Sequence, residues 1–292
     1  MHKVIAEALA SLIPIKMTRN RMRGILRFGL INVIKLKAEL NRNHDKPTKY
    51  YLAICAIAKN EGAYFQEWIQ WHKELGVEKF YIYDNDSTDD TKDVLAPYIE
   101  SGLVEYKFLT GKKQQLAAYD HCLLHYRFDM KWLAVIDLDE FIVPVKDKNL
   151  KDFLIRFEAF SAVQINWLIY GSGGAKHKES GGVMERFKFH ATPQYWLNKS
   201  VKSIVNPRRI YTFTGCHEAA NIFGEIADSH GNIIKKSFKD REPQQDVIRI
   251  NHYAVKSYDE FLEKKARGRA TKTHKQRSVL YFNKYDLNDI KE

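Results

Sequence analysis

Tyr51-Leu-Ala-Ile-Cys-Ala-Ile-Ala58 is an unbroken apolar run, closed by the polar segment Lys59-Asn60-Glu61-Gly62. A strand with one wet face alternates apolar and polar residues. A run without alternation suits a strand covered on both faces, as inside a parallel sheet. Downstream, Tyr64, Trp68, Trp71 and Leu75 recur at spacings of four, three and four, which predicts one apolar stripe on a helix, with Gly76 to end it. Lys79-Phe-Tyr-Ile-Tyr83 reads as a second strand, Thr91 to Ile99 as a short helix cut short by Pro97, and Val104 to Phe108 as a third strand. Gln114 to Tyr126 reads as a further helix and Trp132 to Ile136 as a fourth strand. Strands alternating with helices predict an α/β protein with a doubly wound, mainly parallel sheet, whose ligands bind beyond the carboxyl ends of the strands. Past Pro144 the pattern loosens: a helix near 150–159, a strand at 162–169, a glycine-rich loop at 171–182 and short strands to about Ile210. A last helix starts at Ser257, where Glu260 completes a capping box.

The 292 residues, 45% hydrophobic and 13% aromatic, suffice for one large folded domain with appendages. Cys55, Cys122 and Cys216 are too few and too far apart for a disulfide framework, which points to a reducing compartment. The apolar stretch from Val4 to Ile15 is interrupted by Glu7 and Pro14 and is too short to span a bilayer, so neither a signal peptide nor a transmembrane helix is expected. The net charge of +11 sits at the ends: +7 in residues 1–46 and +5 in 256–281, leaving the middle close to neutral. A domain that grips nucleic acid across its main face would not be neutral there, so no nucleic-acid partner is expected. Residues 1–46 mix apolar and basic positions. They read either as a basic amphipathic helix pair for an anionic membrane surface or a partner, or as helices packed on the core. The expected divisions are 1–46, a catalytic unit at 47–256 and a basic helical segment at 257–292.

The chemistry concentrates in Trp132-Leu-Ala-Val-Ile-Asp137-Leu-Asp139-Glu140-Phe141, an apolar strand that ends in carboxylates. On an extended chain Asp137 and Asp139 share a face and can converge on one divalent cation, with Mn²⁺ or Mg²⁺ suiting such hard ligands. The bland reading is a solvated strand end. A rival is a phosphatase of the haloacid dehalogenase type with Asp137 as nucleophile, although Phe141 occupies its usual Thr/Val position and the motif lies mid-chain. A second polar strand end is Tyr81-Ile-Tyr-Asp84-Asn85-Asp86-Ser87-Thr88-Asp89-Asp90-Thr91; its bland reading is an Asx-rich turn.

Together, the strand ending in Asn60-Glu61, the one ending in the Asp84 segment and the later Asp137-Leu-Asp139-Glu140-Phe141 resemble A-type-fold glycosyltransferases of the family 2-like and family 92-like kinds. The resemblance is dense over 51–145 and thins out to about residue 270. It implies that Asn60, Glu61 and Asp84 line a nucleoside pocket and that Lys113 and Gln114 run along the donor phosphates. Asp137 would serve both the donor and a metal, with Asp139 and a late histidine, His252 ahead of His217, as further metal ligands. Asn85 departs from the pattern, since family 2 enzymes often carry a second Asp there. The catalytic base of inverting members points to Glu218, with Glu185 and Asp228 as competitors. The implied activity is metal-dependent, inverting hexosyl transfer from a nucleotide-diphosphate sugar, UDP-linked by expectation, to a glycan or lipid-linked acceptor at the cytoplasmic face of the plasma membrane. A non-catalytic binding protein on the same fold is the reading from another class. Loop 171–182 is expected to be a mobile cover over the acceptor, and Trp167 and Tyr170 either sugar platforms or core.

Overall fold

The Tyr51–Ala58 run is the middle of a sheet. In the computed structural model, which describes residues 22, 25–26, 29–43, 46–268 and 277–292, helix α1 (Leu30–Asn43) precedes β1 (Tyr50–Ala58), α2 (Gly62–Glu74), β2 (Lys79–Asn85), α3 (Thr91–Glu100), β3 (Val104–Leu109), α4 (Gln115–Tyr126) and β4 (Met130–Val135). Then come β5 (Glu140–Pro144), α5 (Leu150–Leu154), β6 (Ala162–Ile169), α6 (Val183–Arg186), β7 (Phe189–His190), β8 (Val201–Val205), β9 (Ile210–Phe213), β10 (Ala219–Asn221) and β11 (Ile226–Ala227). The chain closes with β12 (Ile248–His252), α7 (Tyr258–Ala266), α8 (Val279–Tyr285) and β13 (Ile290–Lys291).

The main sheet has the order β3-β2-β1-β4-β8-β6-β12-β5, with β11 beside β6. β3, β2, β1 and β4 are mutually parallel, as the alternating pattern predicts. Beyond β4 the sheet is mixed: β8 runs antiparallel to both neighbours, and β5 antiparallel to β12. The period of two divides β1 between two cores. Leu52, Ile54, Ala56 and Ala58 join Tyr64, Phe65, Trp68 and Ile69 of α2, while Ala53, Cys55 and Ile57 join Ala118, Tyr119, Cys122 and Leu123 of α4.

α2 is also stapled to β5. Trp68 Nε1 donates to Glu140 O and Trp71 Nε1 to Ile142 O, both at 2.9 Å. His72 adds Nδ1 against Trp68 O at 2.8 Å and accepts the Ile142 amide on Nε2 at 3.2 Å. α3 does not stop at Pro97 but continues to Glu100; the Pro97 carbonyl still accepts the Ser101 amide at 3.1 Å. The expected 150–159 helix is shorter, five α-helical residues followed by a 3₁₀ turn.

Of the basic N-terminal segment, α1 buries Val33, Leu36 and Leu40 against Tyr211, Ala220 and Ile222 of the β9–β10 hairpin, leaving Ile31 and Ile34 exposed. Residues 1–21 lie outside the described residues. Loop 171–182, expected as a mobile cover, is hydrogen-bonded near both ends. Ser172 N donates to Asp286 at 2.6 Å, Gly173 N to Asn288 at 2.7 Å, and the amides that follow Gly182 to Glu67. A side chain at Gly171 would collide with Leu287 and Asn288, so glycine is what allows this close packing.

Candidate active site

β4 ends at Val135, and the chain turns between Asp137 and Glu140, with the Glu140 amide on the Asp137 carbonyl at 3.0 Å. Asp137 and Asp139 therefore do not lie on one extended face, as their i, i+2 spacing would require. The turn sends them to two different lysines. Asp137 accepts Lys202 Nζ at 2.8 Å and Gln115 Nε2 at 3.2 Å, while Asp139 pairs with Lys264 and faces His252 Nε2 at 3.7 Å. Lys202 lies on β8, buried between the two halves of the sheet, and also touches Glu140 at 3.0 Å. Lys264 is on the inward side of α7, where the Ser257–Glu260 capping box forms as the sequence predicts. Its ammonium also donates to Ala254 O at 2.7 Å.

The electrostatics follow from burial. Burial alone would raise the Asp139 carboxyl, but Lys264 and His252 beside it hold it well below the usual range. Burial lowers His252, against the pull of Asp139, which keeps the imidazole neutral near pH 7. Burial pushes the Glu140 carboxyl up, with Lys202 acting in the opposite direction. Lys202 itself stays charged, because Asp137 and Glu140 outweigh its burial. Trp167 lies between two histidine rings, with centroids 5.4 Å from His217 and 4.2 Å from His252.

Three buried polar atoms in this region have no hydrogen-bond partner among the described residues: Glu140 Oε1, His252 Nδ1 and Trp167 Nε1. Buried polar groups are nearly always satisfied, so their clustering here marks a place built for something besides packing. The Asp139 oxygen that faces His252 Nε2 at 3.7 Å is the one that holds Lys264, so this O/N pair would take an ion only with that ammonium displaced; Mn²⁺ accepts such a mixture more readily than Mg²⁺. Among the described residues no cluster of three His, Cys, Asp or Glu side chains could hold a metal. An ion held here would need most of its ligands from outside the protein.

The other residues singled out from sequence fall into two groups. Asn60, Glu61 and Asp84 gather at the ends of β1 and β2, and each is engaged by the protein. Asn60 takes φ 51° and clamps the next strand end, donating from N to Ser87 Oγ at 2.9 Å and accepting Thr88 N on its side chain at 2.7 Å. Glu61 pairs with Arg267 at 2.5 Å, and Asp84 accepts Ser87 N at 2.9 Å and Tyr106 Oη at 2.8 Å. Asn85 donates to Gly111 O at 2.9 Å, so it braces the turn before α4. Lys113 is exposed in that turn and Gln114 is the N-cap of α4; the neighbour Gln115 is the one that touches Asp137.

Glu218 stands half-buried in the β9–β10 loop, one residue from His217, whose Nδ1 is taken by Val201 O at 2.7 Å. This leaves His252, and not His217, facing Asp139. Asp228 accepts the His230 and Asn232 amides and the Gln244 and Asn232 side chains, a saturated loop organiser with no lone pair free for a proton. Lys202, Lys264, Arg267 and Gln115 escaped the sequence reading, and Glu140 stood in its motif without a role. Lys202 had a visible signal, a charge in the middle of the apolar run Val201-Lys-Ser-Ile-Val205; Lys264 had only its place four residues after Glu260.

The description of glycosyltransferase family 92 matches residues 50–289, most of the chain. The chain belongs to glycosyltransferase family 92. That stretch includes all of the residues above and α7, so the helix that carries Lys264 lies within the family 92 region. A family 92 protein of Ricinus communis is 29% identical over 238 residues, 78% of this chain and 39% of its own length. A β-1,4-galactosyltransferase of Caenorhabditis elegans is 29% identical over 75% of this chain and 52% of its own. A galactan β-1,4-galactosyltransferase of Arabidopsis thaliana is 25% identical over 55% of this chain and 34% of its own. This family 92 chain thus spans between a third and about half the length of these relatives.

Proposed function

We propose that the chain is a hexosyltransferase that moves a sugar from a UDP-linked donor to a hydroxyl of a glycan or lipid-linked acceptor. Membership of family 92 removes the haloacid dehalogenase alternative. Two relatives named as galactosyltransferases make UDP-galactose the first donor to test. The observation that carries the reading is the Asp139–His252 pair beside Asp137, at the edge where β4 and β12 end, surrounded by buried polar atoms that packing leaves unpaired.

Asp139 and His252, with Asp137 on the donor side, are the residues that would hold Mn²⁺ or Mg²⁺. Such an ion neutralises the charge that develops on a departing nucleoside diphosphate. The chain's own part is preorganisation. Lys202 and Gln115 fix the Asp137 carboxylate, and neutral His252 keeps a lone pair available. Glu218 is the candidate base for the acceptor hydroxyl, attacking in line with the leaving group in an inverting reaction. A peripheral position on the inner face of the plasma membrane is part of the proposal. The basic termini and the exposed Ile31 and Ile34 beside Lys35 and Lys37 support contact with anionic lipid, and among the described residues no helix is long and apolar enough to cross a membrane.

The test is release of galactose or its transfer from UDP-galactose in the presence of Mn²⁺. The Asp137→Ala, Asp139→Ala double variant is expected to lose at least a hundredfold. Unchanged turnover would remove these residues from the reaction, and wild-type protein that binds UDP without turnover would favour a non-catalytic binding protein.

A further inference from the structure

A cavity of about 510 Å³ opens beneath α7, lined by the carboxylates Asp89 and Asp90 as well as by Tyr64, Lys256, Lys264 and Arg267. Most of its charges already have partners. Lys264 is paired with Asp139, Arg267 with Glu61, Glu260 with Arg186, and Lys178 with Glu263. Lys256 is the lining cation without such a pairing among the described residues. Its side chain is 4% exposed, yet its ammonium makes no hydrogen bond or ion pair among the described residues and lies over the face of Tyr64, 3.9 Å from the ring centroid. Asp139 and Glu61 favour its charge, but neither makes an ion pair with it among the described residues, and a cation–π contact offsets only part of the cost of burying an ammonium.

The backbone adds an independent sign. Lys256 takes φ 57°, a left-handed conformation that a long side chain rarely adopts, in the turn between β12 and the Ser257 cap. The α7 N-terminus is already closed by Glu260, so Lys256 is not needed to finish the helix. Burial and the like charge of Lys264 pull its pKa down to about 8, against the pull of Asp139 and Glu61.

We propose that Lys256 is the docking point for a phosphoryl group in this cavity, and that the group is the diphosphate of the nucleotide-sugar donor. The inference rests on the donor proposed above. Lys264 connects the cavity to Asp139, so a diphosphate held by Lys256 lies next to the carboxylate that faces His252. The strained turn then positions the ammonium before the ligand arrives.

The experiment is calorimetric titration of the full chain with UDP, inorganic pyrophosphate and uridine, comparing wild type with Lys256→Met and Lys256→Arg. Expected is a loss of about tenfold or more in UDP and pyrophosphate affinity for Lys256→Met, uridine binding unchanged, and partial recovery in Lys256→Arg. A loss for pyrophosphate alone keeps the anion site but assigns its phosphoryl group to the acceptor. UDP and pyrophosphate affinities that are the same in wild type and Lys256→Met overturn the inference and leave the donor assignment intact. Wild type that binds pyrophosphate but not UDP keeps the anion site and refutes the donor. Lys256→Met with a native melting transition excludes misfolding as the cause.

Discussion

Single residues here do two kinds of work. His72 belongs to the scaffold. Both ring nitrogens are engaged with backbone, the ring is fully buried, and burial drives its pKa to about 3. The unfolded chain takes up a proton below about pH 6.5 that the native ring refuses. This contribution to stability is complete above pH 6.5 and is lost as pH falls from there toward about 3, at roughly 1.4 kcal/mol per pH unit. Urea unfolding at pH 7.5 and 5.5 should show the decline, and His72→Gln should flatten it by that amount. An unaltered slope in the variant would mean that the ring is not held neutral. Lys202 belongs to the site. A cation inside a fully buried strand is tolerated because Asp137 and Glu140 share it, and it in turn fixes where Asp137 sits.

At the level of elements, α7 brings the C-terminal basic residues to the ends of β1 and β4. Its N-cap is a two-way bond: Ser257 Oγ accepts the Glu260 amide at 3.3 Å and donates to the Glu260 carboxylate at 2.6 Å. Ser257→Ala should cost about 1 kcal/mol in urea unfolding. A variant as stable as wild type would show that the cap adds nothing to α7. This cap was legible from two residues, because it is a local pattern. So were the parallel strands β1 to β4, where unbroken apolar runs alternate with periodic helices. The antiparallel insertion of β8 was not legible, since nothing within Val201–Val205 records which strands it will lie between. The same limit applies to the site. Asp137 and Asp139 were visible at a strand end, but the turn that separates them and the lysines they meet come from residues 65 and 125 positions away. Pro97 misled for the opposite reason: a local helix breaker was overridden by packing of α3 on α2 and β3.

Across the whole molecule, the sheet gathers the ends of β1, β2, β4 and β12 on one edge, and α7 closes over it. Acidic groups cluster at the strand ends, and the cations that answer them come from β8 and from the C-terminal helix, which reach that edge only through the complete fold. This explains why the charge excess at the C-terminal end of the sequence is not simply a solvated face: Lys256, Lys264 and Arg267 point inward. The measurement that tests the account most directly is anomalous diffraction from crystals grown with UDP and Mn²⁺. The account predicts one Mn²⁺ peak within bonding distance of Asp139 and His252, shared with the UDP diphosphate. UDP bound at that edge with Mn²⁺ elsewhere, or UDP bound on another face of the sheet, would contradict it.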